Sequence, residues 1–283
     1  MQTESAAELL CRLSRAGGHR RRIPLPIVDL PQQSLKPGEI VEITGVQNIG
    51  KSQLLLTIMT HCVLPRSVGG LETGVIFIDS DLKLSTFRLL HMIESRMSAL
   101  CELLPSQQLH QVMFNKQTVL DCLRRISVVR CPDECAYEHS FDHLDDVLVR
   151  HGAVSLVCVD SATAFVCGHA SLQAAFESQD KCTRRLLQFL SEHRLPALCC
   201  VRTVQHAQAD SNTATASSRQ PTDSTFALTS RFWRRTVRDS LHLEQLAAAD
   251  CQAIAVTLRS DSSHQEKIAV ITAAGVDLWQ GND

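Results

Sequence analysis

The sequence predicts an α/β fold: a mostly parallel, twisted sheet with helices on both faces, closed by a C-terminal β-hairpin. Three observations predict it. From about residue 39 onward, strand-length apolar runs alternate with helix-length amphipathic stretches, the pattern of parallel pairing with crossover helices. A glycine-rich loop, "GVQNIGKS", joins a clear strand to a clear helix. Two β-branched runs separated by a polar "DSSHQE" turn end the chain, as a hairpin does.

Residues 5–13, "SAAELLCRL", carry Leu9, Leu10 and Leu13 on one side of a short predicted helix. "GGHRRRIPLPI" follows as a linker, so residues 1–37 are taken as an N-terminal helix and linker and 38–283 as the core. "EIVEITG" is a strand and "KSQLLLTIMTHCVL" a helix; "GVIFIDSD" is a buried strand. Phe87, Leu90, Ile93, Met97, Leu100 and Leu104 recur at three- and four-residue steps and predict a long amphipathic helix. "RISVVRC" is a strand, and Phe141, Leu144 and Leu148 mark a helix. "VSLVCVDS" is a strand; Leu172, Phe176, Thr183, Leu186 and Leu190 mark a helix; "LPALCCVRTV" is a strand. Residues 206–230 are poor in apolar residues and rich in Ser, Thr, Ala and Gln. A stretch of that length and composition predicts a mobile polar loop. A short helix then leads to "QAIAVTLRS" and "KIAVITAAGVDLW", the two strands of the hairpin.

Composition narrows the function classes. With 283 residues and 44% hydrophobic content, the chain suits one large α/β domain. A net charge of -2 argues against a strongly basic nucleic-acid binder, so any DNA contact requires a local basic patch. The 12 Cys fall largely inside apolar runs, such as Cys158, Cys199 and Cys200, without a CxxC pair or zinc-like spacing. Thiols used as small hydrophobes point to a reducing compartment, cytosol or nucleus. No signal segment and no membrane span are expected.

Gly45-Val46-Gln47-Asn48-Ile49-Gly50-Lys51-Ser52 satisfies G-x-x-x-x-G-K-[ST] at every fixed position. The glycines let backbone amides wrap a phosphate chain at a helix N-terminus. Lys51 would reach the outer phosphates and the Ser52 hydroxyl would ligate Mg²⁺. Asp160 ends an apolar strand expected to lie beside the phosphate loop in the sheet, where it either reaches the same Mg²⁺ through water or is simply a turn acid. A magnesium-nucleotide, taken as ATP and weakly or dispensably held, is therefore the expected ligand; the alternative is a loop that folds this way but no longer holds nucleotide. Asp79 and Asp81, at the end of "GVIFIDSD", are each either a base for hydrolysis or an acid favoured near a helix start.

In their order, the phosphate loop, the "FID" strand, the "VCVDS" strand and a later strand feeding a long polar loop resemble the core of the RecA-like recombinases. "HCVLPRSVGGLETGVIFIDSD" and "AELLCRL" are similar to the eukaryotic recombinase paralogues of that family. The likeness runs from about 5 to 279, strongest over 38–100 and weaker after 205. It implies a RecA-like P-loop core and a nuclear role in homologous-recombination repair of broken or stalled DNA. It also implies work within a heteromeric complex of paralogues, with direct binding of the D-type paralogue. With about 38 residues before the first core strand, the added N-terminal helical domain of active recombinases is not expected. Two positions depart from the active members: Asp81 stands where they have Glu, and Arg202 where they have a γ-phosphate-sensing Gln. The shorter acid would misplace the water, and an arginine cannot accept a hydrogen bond. Hydrolysis is thus expected to be lost or weak, with Asp81 the doubtful catalytic residue.

"RFWRRTVRDSL" places Arg231, Arg234, Arg235 and Arg238 at helical spacing on one face, with Trp233, Val237 and Leu241 opposite. That face either contacts DNA phosphates, meets an acidic partner, or is simply solvated. The loop before it has few aromatics and one arginine, Arg219, so DNA binding is expected mainly through the complex. The preferred reading is an interaction protein with a retained nucleotide site. Its rivals are an independent DNA-dependent ATPase or strand-exchange enzyme, and a P-loop kinase. The kinase lacks an arginine-rich lid, since Arg184 and Arg185 fall on a predicted helix.

Overall fold

The structure, a computed structural model, describes residues 23–24, 34–102, 116–151, 154–205, 225–237, 239–246, 253–260, 263–272 and 275–278. The predicted helix over 5–13 and most of the 206–230 loop lie outside them. In chain order, β1 (Ile23–Pro24) and β2 (Ser34–Leu35) form a small antiparallel pair. The core then runs β3 (Ile40–Gly45), α1 (Lys51–Val63), β4 (Gly74–Asp79), α2 (Thr86–Glu102), α3 (Lys116–Arg124), β5 (Ile126–Arg130) and α4 (Glu134–His151). It continues through β6 (Val154–Asp160), α5 (Leu172–His193), β7 (Ala197–Cys200), β8 (Thr203–Gln205), β9 (Thr225–Ala227) and α6 (Arg231–Thr236). It closes with β10 (Asp239–Gln245), β11 (Ala253–Ser260), β12 (Ser263–Thr272) and β13 (Gly275–Leu278).

Among the described residues nine strands make the main sheet, in the order β13-β12-β11-β10-β3-β7-β6-β4-β5. Every pair from β10 to β5 is parallel, and β10 to β13 are antiparallel. The strands read as near-continuous apolar runs because helices cover both faces. Side-chain alternation sorts them into two cores. Val75, Phe77, Leu156, Cys158, Leu198 and Cys200 pack with α1, α2 and α3. Ile76, Ile78, Val157, Val159, Ala197 and Cys199 pack with α4 and α5. The seven thiols buried among the described residues behave as small hydrophobes, and burial pushes the Cys62 thiol up to about 12.

Four expectations need correcting. The long helix α2 is real, but Phe87 is 85% exposed; Leu89, Met92, Ile93 and Met97 take the core. In helix α5 Thr183, Leu186 and Leu190 are buried as expected, but Leu172 at its start is exposed. The region 231–241 is not one helix. α6 ends after six residues, Arg238 lies outside the described residues, and Leu241 sits in strand β10. The C-terminal hairpin belongs to a larger antiparallel wing, because β10 and β13 flank it. Helix α3 and the β8–β9 pair were not anticipated, and β9 falls inside the stretch 206–230 expected to be loop.

Candidate nucleotide-binding site

Strands β3, β4, β6 and β7 end level with one another: Asp79 pairs with Asp160, and Asp160 with Cys200. Ligands of parallel α/β sheets bind beyond such carboxyl ends. Here a cleft of about 550 Å³ opens there, lined by the phosphate loop, Asp81, Asp160, Ser161 and Arg202. That size lies within the usual range for small-molecule sites.

The loop itself is built for anions. Gly45 has φ 142, Asn48 φ 63 and Gly50 φ 106, so the chain turns tightly between β3 and α1. A Cβ on Gly45 would come within 2.7 Å of the Leu243 carbonyl oxygen, and one on Gly50 within 2.4 Å of Ile271 Cδ1. Both positions need glycine for conformation, and Gly45 also for space, because its neighbour is backbone, whereas the Ile271 methyl can turn away. Helix α1 starts at Lys51 without a side-chain cap and without an acid in its first turn. Its N-terminal amides and dipole are thus left for a ligand. The Lys51 Nζ donates to the carbonyls of Gly45 and Val46, both at 2.8 Å. Burial lowers its pKa, and the charges of Cys200, Asp160 and Asp81 oppose that. Thr203 Oγ1 also donates to the Gly45 carbonyl at 2.6 Å, tying the end of the cleft to the loop.

Ser52 and Asp160 both line the cleft. Burial raises the Asp160 pKa, the Ser52 hydroxyl opposes that, and the neighbouring Asp81 adds to the rise. A divalent cation would relieve that desolvated carboxylate, and the hydroxyl-carboxylate pair suits Mg²⁺. Asp160 is not beside the phosphate-loop strand, because β7 lies between β3 and β6. Its side chain reaches the loop across that strand. The residues Gly45, Gly50, Lys51, Ser52 and Asp160 thus fit a magnesium-nucleotide: Lys51 and the loop would hold phosphate, Ser52 and Asp160 the metal. Bound Mg²⁺ would supply charge neutralisation to the phosphates.

The opposite wall is different. Asp79 is a turn acid: its Oδ1 accepts from the Lys83 amide and its Oδ2 from the Leu84 amide, both at 3.1 Å, just before α2. Asp81 faces the cleft, but Arg202 Nη2 donates to its Oδ1 at 2.6 Å and Ser161 Oγ to the same atom at 3.2 Å. Lys83 Nζ lies 3.4 Å from Oδ2. The two departures named from the sequence are therefore one ion pair. Opposite charge at the two positions was the available signal. Arg88 and Lys83 also line the cleft and were not anticipated, since no motif marks them.

The arginine face is smaller than expected. Arg231, Arg234 and Arg235 are exposed on α6, and Trp233 is buried. Ser230 caps the helix, its Oγ accepting from the Trp233 amide at 3.0 Å. Trp233 Nε1 donates to Glu42 Oε2 at 2.7 Å, fixing α6 to the middle of β3.

The Rad51 family profile matches residues 29–239. The chain is 26% identical over 245 residues to the mouse (Mus musculus) DNA repair protein XRCC2, spanning 84% of this chain and 82% of that protein. It is 25% identical over 187 residues to the Arabidopsis thaliana DNA repair protein XRCC2 homolog, spanning 57% of this chain and 49% of that one. Against human (Homo sapiens) DNA repair protein RAD51 homolog 2 it is 28% identical over 165 residues, 55% of this chain and 38% of the other. A mostly parallel sheet, a phosphate-loop motif at the end of its central strand and Asp160 two strands away agree with that match over most of the chain: it belongs to the Rad51 family, whose core is a nucleotide-binding fold that generally uses ATP and Mg²⁺.

Proposed function

We propose that this chain is a recombinase paralogue that works as a subunit of a heteromeric recombination-mediator complex in the nucleus, in homologous-recombination repair of DNA. It binds Mg-ATP weakly and turns it over little or not at all. Its direct neighbour is the D-type paralogue, and DNA is met mainly through the complex. Similarity to relatives named as DNA repair proteins supports the repair role. One observation carries the catalytic part: the 2.6 Å contact between Arg202 Nη2 and Asp81 Oδ1. A base must be free to take a proton from water within hydrogen-bond reach. Asp81 instead holds an arginine, a serine and a lysine. Phosphate-binding groups without a free base give occupancy without chemistry.

Exposed apolar features support an assembled state. Phe87 at the start of α2 and Leu82 in the turn before it are 85% and 52% exposed. Strand β5 ends the sheet with Val128 42% exposed. An open edge strand is a template for another chain, and adjoining apolar side chains mark contact sites. The test is co-expression with the D-type paralogue. Solubility and melting temperature should both rise; no change in either would remove the obligate-partner reading. The intact phosphate loop with Lys51, Ser52 and Asp160 in place favours, as a second reading, an independent DNA-dependent ATPase. Phosphate release measured with and without DNA separates the two.

A further inference from the structure

The cations of the cleft are already occupied from within. Lys51 sits on its own loop carbonyls, and Arg202 sits on Asp81. The Asp81 carboxylate is 8% exposed and the Arg202 side chain 38%, so the guanidinium keeps a face open to the cleft. A carboxylate offers about four lone-pair sites, and Arg202, Ser161 and Lys83 take three of them. The backbone of Asp81 is held too, its amide donating to the Asp160 carbonyl at 3.0 Å. Arg202 is pinned at its root: its amide donates to Thr163 Oγ1 at 2.8 Å, and its carbonyl accepts from the Leu228 amide at 3.2 Å. Those two bonds set the base of the β8–β9 pair that flanks the 206–224 segment.

We propose that Asp81 is a built-in anion that occupies Arg202 in place of a nucleotide phosphate, so that the cleft and the β8–β9 stalk are complete without nucleotide. Guanidinium groups pair carboxylates and phosphates through the same fork of donors. A phosphate entering this cleft must compete with Asp81 for Arg202. Affinity is low for that reason, and the stalk gains nothing from occupancy. The proposal rests on the reading of the chain as a weak nucleotide binder.

The experiment uses the full chain with its co-purified partner and a fluorescent ATP analogue with Mg²⁺. Asp81→Asn keeps the shape and one accepting oxygen but releases the charge of Arg202. It should bind the analogue about tenfold more tightly, the size of one charge-assisted hydrogen bond. Arg202→Gln should not tighten binding, and the Arg202→Gln/Asp81→Asn double variant should match Arg202→Gln. Unchanged or weaker binding by Asp81→Asn overturns the proposal. So does an equal gain in the Arg202→Gln background, which would mean simple loss of repulsion. Hydrogen exchange at the β8 amides gives a second test that needs no Asp81 variant. The analogue should leave wild-type exchange unchanged, and Arg202→Gln should exchange faster. Slowing of wild-type exchange on binding, or no change in Arg202→Gln, overturns the proposal as well. The two readings fail separately: turnover by wild type would sink the scaffold reading, whereas unaltered affinity of Asp81→Asn sinks only the built-in anion.

Discussion

The two walls of the cleft are made from strands that end at the same level, yet they treat a ligand in opposite ways. On the β3–α1 wall the turn is fixed by Gly45 and Gly50, and the helix start is uncapped. Its donors face the cleft, and Lys51 has only carbonyl partners that phosphate can outcompete. On the β4–β7 wall the two candidate bases are paired: Asp79 with backbone amides, Asp81 with Arg202 and Ser161. Binding and chemistry are therefore separable properties of one site. A phosphate loop bears on the first and says nothing about the second.

The contrast can be broken most severely on the open wall. Gly45→Ala forces a Cβ to within 2.7 Å of the Leu243 carbonyl oxygen at φ 142. It should cost about 3 kcal/mol or more of stability, read as a lowered urea midpoint. If the midpoint held, the loop would not be the rigid element described.

Outside the cleft, α6 offers a basic surface with no catalytic neighbour. Reversing Arg231, Arg234 and Arg235 to Glu should weaken DNA binding by the assembled complex about tenfold. It should also flatten the salt dependence by roughly 0.9 per lost phosphate contact. An unchanged slope across a salt titration would leave these arginines to a protein partner or to solvent.

Lys51→Ala sharpens the contrast itself. Nucleotide affinity should fall about tenfold, while partner assembly and melting temperature stay close to wild type. Loss of assembly in this variant would show that nucleotide is structurally required.

The smallest effect is expected at Glu42, a buried carboxylate in the strand that feeds the loop. Burial raises its pKa above the ordinary 4.5, and the Trp233 hydrogen bond only partly opposes this. A raised folded-state pKa means that the native state holds the proton more tightly than the unfolded chain. The stability from Glu42 is then full below the unfolded value and is lost as pH rises through the folded one. Glu42→Gln keeps an acceptor for Trp233 and abolishes that loss. Its melting temperature should exceed wild type at pH 8, with the difference shrinking toward pH 4.5. A pH-independent difference would contradict the assignment.

Much of this was legible in the sequence, and what escaped has physical causes. The parallel core was readable because its strands are buried on both faces and its helices carry long apolar stripes. The phosphate loop was readable because its glycines and lysine are each demanded by backbone space and phosphate charge. β10 was misread because "RFWRRTVRDSLHL" carries arginines at helical spacing, whereas pairing with β3 converts the segment after Val237 into a strand. There Leu241 and Leu243 obey a two-residue period. Phe87 was assigned to the core because spacing alone does not say where a helix's buried stripe begins. The Asp81–Arg202 pair joins residues 121 positions apart. Each was visible as a departure from the family pattern, but only the fold could make them partners.

The central claim is occupancy without turnover, and phosphate release by the partnered protein tests it most directly. With saturating Mg-ATP and DNA, wild type should release phosphate no faster than Lys51→Ala, even though a fluorescent nucleotide titration detects binding to wild type. A DNA-stimulated rate on the order of 1 s⁻¹ or more, within the usual enzyme range and absent in Lys51→Ala, would contradict it and make this chain an ATPase.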